Sequence, residues 1–189
     1  ITVYLIIAGI PAIRKIGLIK FLFGTKWAST AAEPEYGILP FILTSVYGTA
    51  GAILLGVPIG FMTAVYLAKA APPRIKAVMG SAVSLLAGIP SVVYGLVGML
   101  FFAQMLGFQT SLLSGGCTLV IMILPTIIRT TQESLKTVPQ SYREGALGLG
   151  ATKWYMIRTI ILPSSVDGIV TGCILSIGRI VGESAALLF

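Results

Sequence analysis

The sequence predicts an all-helical, polytopic membrane protein. Three observations carry this prediction: 56% of the 189 residues are hydrophobic, mean hydropathy is +0.98, and only 10% are charged, against about 25% in an ordinary soluble domain. Nineteen ionisable side chains, 13 basic and 6 acidic, cannot cover that much apolar surface unless lipid shares the task. Histidine is absent, and the two cysteines, Cys117 and Cys173, both lie inside apolar runs. Zinc sites, Cys/His or Ser/His nucleophile pairs and a disulfide scaffold therefore have no raw material, and neither catalytic residues nor a metal or other cofactor are expected. The net charge of +7 sits in the connections between apolar runs, so it reads as orientation in a membrane and not as affinity for nucleic acid.

Charge-free stretches set the spans, since a crossing helix needs about 20 mostly apolar residues. Ile1 to Ile13 is read as the tail of one span. Arg14 to Tyr36 is a polar connection whose beginning sets Ile13, Ile16, Phe21 and Leu22 against Arg14, Lys15 and Lys20, which suits an interfacial helix and a solvated loop helix equally. Gly37 to Leu67 is one long or tilted span, bent near Pro58, with Gly48, Gly51, Gly56 and Gly60 as a close-packing face. The stretch Ala77 to Ile128 is too long for one helix, and Gln104 to Gly116 divides it in two. Ile160 to Phe189 is the last run and carries Asp167, Arg179 and Glu183. About five spans follow. The chain opens without a start Met and stops while still apolar, which predicts a fragment with truncated ends, and no signal peptide can be sought.

Eight Lys and Arg fall on one side of these spans and four on the other, so the side with eight, holding Thr131 to Thr159, is expected in the cytoplasm. That loop is patterned. Pro139 interrupts it, and Ser141-Tyr142-Arg143-Glu144 reads as a capping box opening a short helix that ends at Gly148 and Gly150. Thr152 is placed to cap a second helix running to Pro163.

Here the sequence resembles a family. Glu144-Gly145-Ala146, three residues, Gly150, nine residues, then Ile160-Ile161-Leu162-Pro163 is similar to the EAA loop (E-A-A-x3-G-x9-I-x-L-P) of permease subunits of binding-protein-dependent ABC importers, with Gly145 where Ala is usual. The Gly88-Ile89-Pro90-Ser91-Val92-Val93-Tyr94-Gly95 segment, Phe23-Gly24-Thr25-Lys26-Trp27, and the ending from Gly178-Arg179 through Gly182-Glu183-Ser184 to Phe189 resemble the phosphate-specific permeases of the PstC and PstA type. The first two lean to PstC and the last to PstA.

The resemblance implies one transmembrane permease domain over 1–189, with the helical bundle of a type I ABC importer, in a bacterial or archaeal plasma membrane. It implies a second permease subunit, two ATP-binding subunits and an extracytoplasmic phosphate-binding protein as partners. No Gly-x4-Gly-Lys-Ser/Thr run occurs, so energy has to come from such a partner. Arg143, Glu144, Gly145, Ala146 and Gly150 are the candidate ATPase-coupling residues, although Glu144 could simply close the capping box and the glycines simply turn the chain.

The candidate substrate pathway comprises Arg179, Glu183, Ser91 and Pro90. Pro90 disfavours helix at Ile89, so the span should break there, about 20 Å along the helix from Ala77, with Ser91 capping a new half-helix whose free N–H groups attract anions. A kink that only shapes packing is the other reading. Arg179 and Glu183 lie four residues apart, on one face of the last helix, roughly 24 Å beyond Pro163 for Arg179. They serve either as a phosphate-binding fork with a competing carboxylate or as a static ion pair. Other functions left open are a permease for another oxyanion or small solute, and a non-transporting membrane anchor.

Overall fold

A computed structural model describes residues 2–31 and 33–183. The ending Ser184 to Phe189, part of the PstA-like resemblance, lies outside the described residues. The chain divides into two compact units, Ile1–Tyr47 and Gly48–Phe189.

The first unit holds α1 (Thr2–Ile16), α2 (Leu18–Phe23), a two-residue antiparallel ribbon of β1 (Trp27–Ala28) with β2 (Glu35–Tyr36), and the beginning of α3 (Leu39–Lys69). Gly17, at φ +89°, separates α1 from α2 because few other residues adopt that conformation. The ribbon is a small exception among the described residues, which are otherwise helical outside loops and turns. It is closed by Trp27, whose ring meets Tyr36 and Phe41 edge-on with centroids 5.7 Å apart in each case. The backbones of Gly24 and Gly37 touch beside it, leaving no room for a Cβ on either residue.

In the second unit α3 continues to Lys69. Next come α4 (Pro73–Ala87), α5 (Ser91–Gly98) prolonged by a π-helical stretch Met99–Met105, and α6 (Leu112–Thr137). The described elements then finish with α7 (Gln140–Gly148), α8 (Lys153–Met156), π-helical Ile157–Ile161, α9 (Leu162–Ser164) and α10 (Val166–Val181). Among the described residues two helices, α3 and α6, are long and apolar enough to cross a membrane. The count rises to four if two bent pairs are each one span: α4 with Ser91–Met105, bent by 102°, and Lys153–Ser164 with α10, bent by 63°. Helix α1, where the tail of a span is expected, has 15 residues and is not among these candidates.

Helix α6 is the axis of this unit. Its buried residues include Leu119, Met122, Ile123, Ile127 and Leu135, and α4, α5 and α10 all pack against it. Small residues make the close approaches possible. Along α3, Gly48, Ala52, Gly56, Gly60 and Ala64 form a buried stripe at four-residue spacing. A Cβ built on Gly56 would lie 2.7 Å from Ile123 Cδ1, and one on Gly60 2.8 Å from Ile127 Cγ2. Gly51 does not belong to that face, because one residue before Ala52 it points 100° away and meets nothing within 4 Å. On α10, Gly168 and Gly172 are pressed onto Ser134 and Thr130 of α6, with buried Ser176 one turn further on. Gly98 likewise abuts Thr118.

The expected single long span is α3, one helix with Pro58 inside it. Two details correct the expectations. Helix α6 does not stop at Ile128 but runs to Thr137, because Leu135 and Thr131 remain buried and the first breaker is the Val138-Pro139 pair. Glu183 does not lie on the last helix: α10 ends at Val181 with Gly182 as its cap, and Glu183 follows two residues beyond.

Candidate functional site

The break at Pro90 is real, and its construction differs from the capped half-helix. Pro90 itself occupies the N-cap position (φ −59°, ψ 142°), so Ser91 is already the first helical residue and its hydroxyl makes no capping bond. What fixes the bend is Tyr94. Its hydroxyl donates to the carbonyl of Leu86 at 2.7 Å, satisfying an acceptor at the end of α4 from within α5. Tyr94 is buried in one cluster with Ile123 of α6 and Ile180 of α10. Thus the start of α5 and the end of α10 meet around the middle of α6. Ser91 is half-buried and Pro90 exposed.

Arg179 stands beside Ile180 in the last turn of α10, where the helix dipole favours a cation. Its Nη1 donates to Thr126 Oγ1 at 3.2 Å, and the side chain is half-buried. Glu183 is half-buried too, and its backbone N–H donates to Ile180 O at 3.0 Å. The π-helical stretches on either side of this region, at Met99–Met105 and Ile157–Ile161, carried no signal in the residue pattern. Thr126, Tyr94 and the Gly168-Gly172-Ser176 stripe were likewise missed; the stripe was readable as small residues at four-residue spacing, while Thr126 needed the helix register.

The second cluster of candidates lies on α7 and α8. Helix α7 starts at Gln140 behind Pro139, which leaves Ser141 inside the first turn, and the expected Ser141–Glu144 capping box does not form. Glu144 instead accepts a hydrogen bond from Gln140 Nε2 at 2.8 Å, one turn back. Arg143 Nη2 donates to the carbonyl of Leu135, near the end of α6, at 2.9 Å. Ala146 is buried with Leu135, Val138, Met156, Ile157 and Ile161, which seats α7 on the end of the bundle. The opposite face is open: Glu144, Gly145, Gly148 and Gly150 are exposed, Leu149 is 91% exposed and Trp154 68%. Gly150 adopts φ +83°, a left-handed turn that a side chain resists. Thr152 Oγ1 then accepts from Tyr155 N at 3.3 Å, the cap that starts α8.

Packed apolar helices, two of them of spanning length, and a small helix pair at one end define a polytopic integral membrane protein. The chain belongs to the family of binding-protein-dependent transport system inner membrane components, whose model matches residues 56–189. It is 36% identical over 195 residues to a probable ABC transporter permease protein, YqgH, of Bacillus subtilis, with 99% of this chain and 63% of that protein covered. It is 40% identical to the phosphate transport system permease protein PstA 1 of Mycobacterium tuberculosis (80% of this chain, 53% of that protein). Against PstC of Xylella fastidiosa it is 33% identical (90% and 60%). The chain thus spans between half and two thirds of the length of these relatives. Among solved structures, the fold is similar to a chain of the MetNI methionine ABC transporter in an inward-facing conformation, with a TM-score of 0.63, 20% identity, and 77% of this chain and 68% of that one covered.

Proposed function

We propose that residues 1–189 form one permease domain of an ATP-driven inorganic phosphate importer in a bacterial or archaeal plasma membrane. Family membership supports the transport role, and the names of the PstA and PstC relatives support the solute. The single observation that carries the reading is Arg179, a half-buried guanidinium held by Thr126 inside a helical bundle. An anchor has no use for such a group, whose cost in a membrane is at least about 2.5 kcal/mol, whereas a pathway for an oxyanion needs a planar fork that can hold two oxygens at once. Arg179 and Glu183, with Pro90 and Ser91 at the bend, are read as this chain's half of the pathway. A second permease subunit supplies the other half, and an extracytoplasmic phosphate-binding protein delivers the ion.

Energy enters through α7 and α8 in this reading. Of the two ATP-binding subunits that serve the permease pair, one docks on the exposed side of α7, where Glu144, Gly145 and Gly150 face outward while Arg143 and Ala146 hold α7 on the bundle; these five residues are the coupling element within the cytoplasmic segment of about 131–159. Support comes from two exposed apolar groups, Leu149 in the turn after α7 and Trp154 in α8. A second reading, transport of another oxyanion or small solute, is favoured by the YqgH likeness, since that name states no solute.

The test is uptake of labelled phosphate by the complete transporter reconstituted in vesicles with its binding protein and ATP inside. Arg179→Gln and Arg179→Lys should each assemble and lose most of the uptake, because neither presents the fork. Competition by sulfate or another oxyanion equal to that by phosphate would select the second reading, and full uptake by the assembled Arg179→Gln complex would reject the pathway.

A further inference from the structure

Five cations converge on one cavity of about 450 Å³ at the end of the bundle that carries α7. Lys69 comes from the last residue of α3, Lys76 from α4, Arg129 and Lys136 from α6, and Arg143 from α7, while Glu133 is the single acidic side chain in the lining. Two of the five already converge on one atom: Lys69 Nζ lies 3.4 Å and Arg143 Nη2 2.9 Å from the carbonyl oxygen of Leu135. That oxygen gives each a hydrogen-bond acceptor and the negative end of α6, but no formal charge to offset theirs. Arg143 Nε is buried without a hydrogen-bond partner. With one carboxylate for five cations, three of which (Lys76, Arg129 and Lys136) are exposed, the lining keeps a surplus of positive charge that an entering anion offsets.

We propose that this cavity is a binding site for a phosphoryl oxyanion, either free inorganic phosphate or the phosphate of an anionic lipid headgroup. The site is distinct from Arg179, which is not in the lining. A tetrahedral dianion has oxygens in several directions and can accept from ammonium and guanidinium groups arriving from four helices, a geometry that a planar carboxylate satisfies less completely. Because Arg143 belongs to α7 and Lys69 and Lys76 to α3 and α4, occupancy fastens α7 to the ends of those helices. The inference rests on the proposed function only for placing this end in the cytoplasm. There the ligand is phosphate already inside the cell or a lipid of the inner leaflet.

The experiment uses the complete transporter without its binding protein or nucleotide, in nanodiscs of phosphatidylcholine alone or of phosphatidylcholine with phosphatidylglycerol. Equilibrium binding of labelled inorganic phosphate and the amount of phosphatidylglycerol retained after a detergent wash are both measured. The double variant Lys76→Gln/Arg129→Gln is compared with wild type and with Lys76→Arg/Arg129→Lys, which keeps the charge. Charge-assisted hydrogen bonds make a loss of about tenfold in affinity the expected effect of the Gln pair, with recovery in the charge-keeping pair. A variant-sensitive phosphate signal in phosphatidylcholine discs assigns the site to the free ion. Variant-sensitive retention of phosphatidylglycerol assigns it to lipid. If both ligands bind the Gln pair as they bind wild type, or neither binds wild type, the proposal is wrong. Phosphate uptake measured in parallel separates that outcome from failure of the transport reading.

Discussion

Arg179 on α10 and Thr126 on α6 are joined by a hydrogen bond of 3.2 Å from the guanidinium to the hydroxyl oxygen. The bond exists because the two helices lie so close. Gly168 and Gly172 rest on Ser134 and Thr130, and the same packing carries Arg179 up to Thr126, about two turns along α10 from Gly172 and about one turn along α6 from Thr130. A small-residue stripe thereby sets the position of a charged group that has no counterpart elsewhere on α10 except Asp167 at the other end.

Thr126→Val should keep the shape of that contact and remove the acceptor. Hydrogen bonds to charged groups contribute about 1.5–3 kcal/mol, so phosphate uptake by the assembled transporter is expected to fall roughly tenfold or more. Thr126→Ser, which keeps the oxygen, should restore most of it. Equal uptake by the Val and Ser variants would show that Thr126 does not position Arg179.

The glycines of α3 separate cleanly by environment. Gly60→Ala brings a Cβ within 2.8 Å of Ile127 and should destabilise the protein by about 1–3 kcal/mol through overpacking. Gly51→Ala meets nothing within 4 Å, so relief of glycine's poor helix propensity should leave stability unchanged or raise it by up to about 1 kcal/mol. Thermal unfolding of the two purified variants in one detergent decides it. A matching loss in both would mean that α3 packs on α6 through another face.

How much of this was legible depended on the range of the interaction that fixed each feature. The bend at Pro90 and the turn at Gly150 are backbone properties of single residues, and they stood out in the sequence. The caps were less accessible. Ser91 and Ser141 both fit the pattern of capping residues, yet Pro90, directly before Ser91, and Pro139, two residues before Ser141, take the N-cap positions, so each helix starts early and the hydroxyl loses its place. The partners of Arg179 and Tyr94 depended on registers between separate helices, which no local spacing reveals. The basic cavity was visible only as a count of charges on one side, because its five cations are spread over 75 positions from Lys69 to Arg143.

Helix α6, 26 residues or about 39 Å at its regular rise, should place its two ends on opposite sides of the bilayer. With Cys117 and Cys173 replaced by Ser, a cysteine at Thr110, before the helix, should react with an impermeant reagent only from outside. One at Ser141, just beyond it, should react only from the cytoplasm. Both positions are exposed. Labelling of both from one side would reject α6 as a crossing helix, and labelling with the sides exchanged would reverse the orientation drawn from Lys and Arg.

Replacing Gly150 tests whether the turn between α7 and α8 transmits force. Its φ of +83° puts any L side chain in the left-handed region, at a cost of about 1–2 kcal/mol, but a Cβ there would meet no atom within 4 Å. The burden of Gly150→Ala therefore falls on the turn alone and not on the packing of the bundle, where Ala146, Met156 and Ile161 hold α7 and α8 in place. Gly148→Ala is the matched control, since Gly148 lies in helix with equally open surroundings, and it should behave as wild type or slightly better. The expected result for Gly150→Ala is an assembled transporter whose uptake per ATP hydrolysed falls at least several-fold, with hydrolysis persisting. A bulky replacement, Gly150→Leu, should weaken binding of the ATPase subunits as well, because it adds volume where the exposed Leu149 already projects. Normal uptake per ATP by both Gly150 variants would remove this turn from the coupling element.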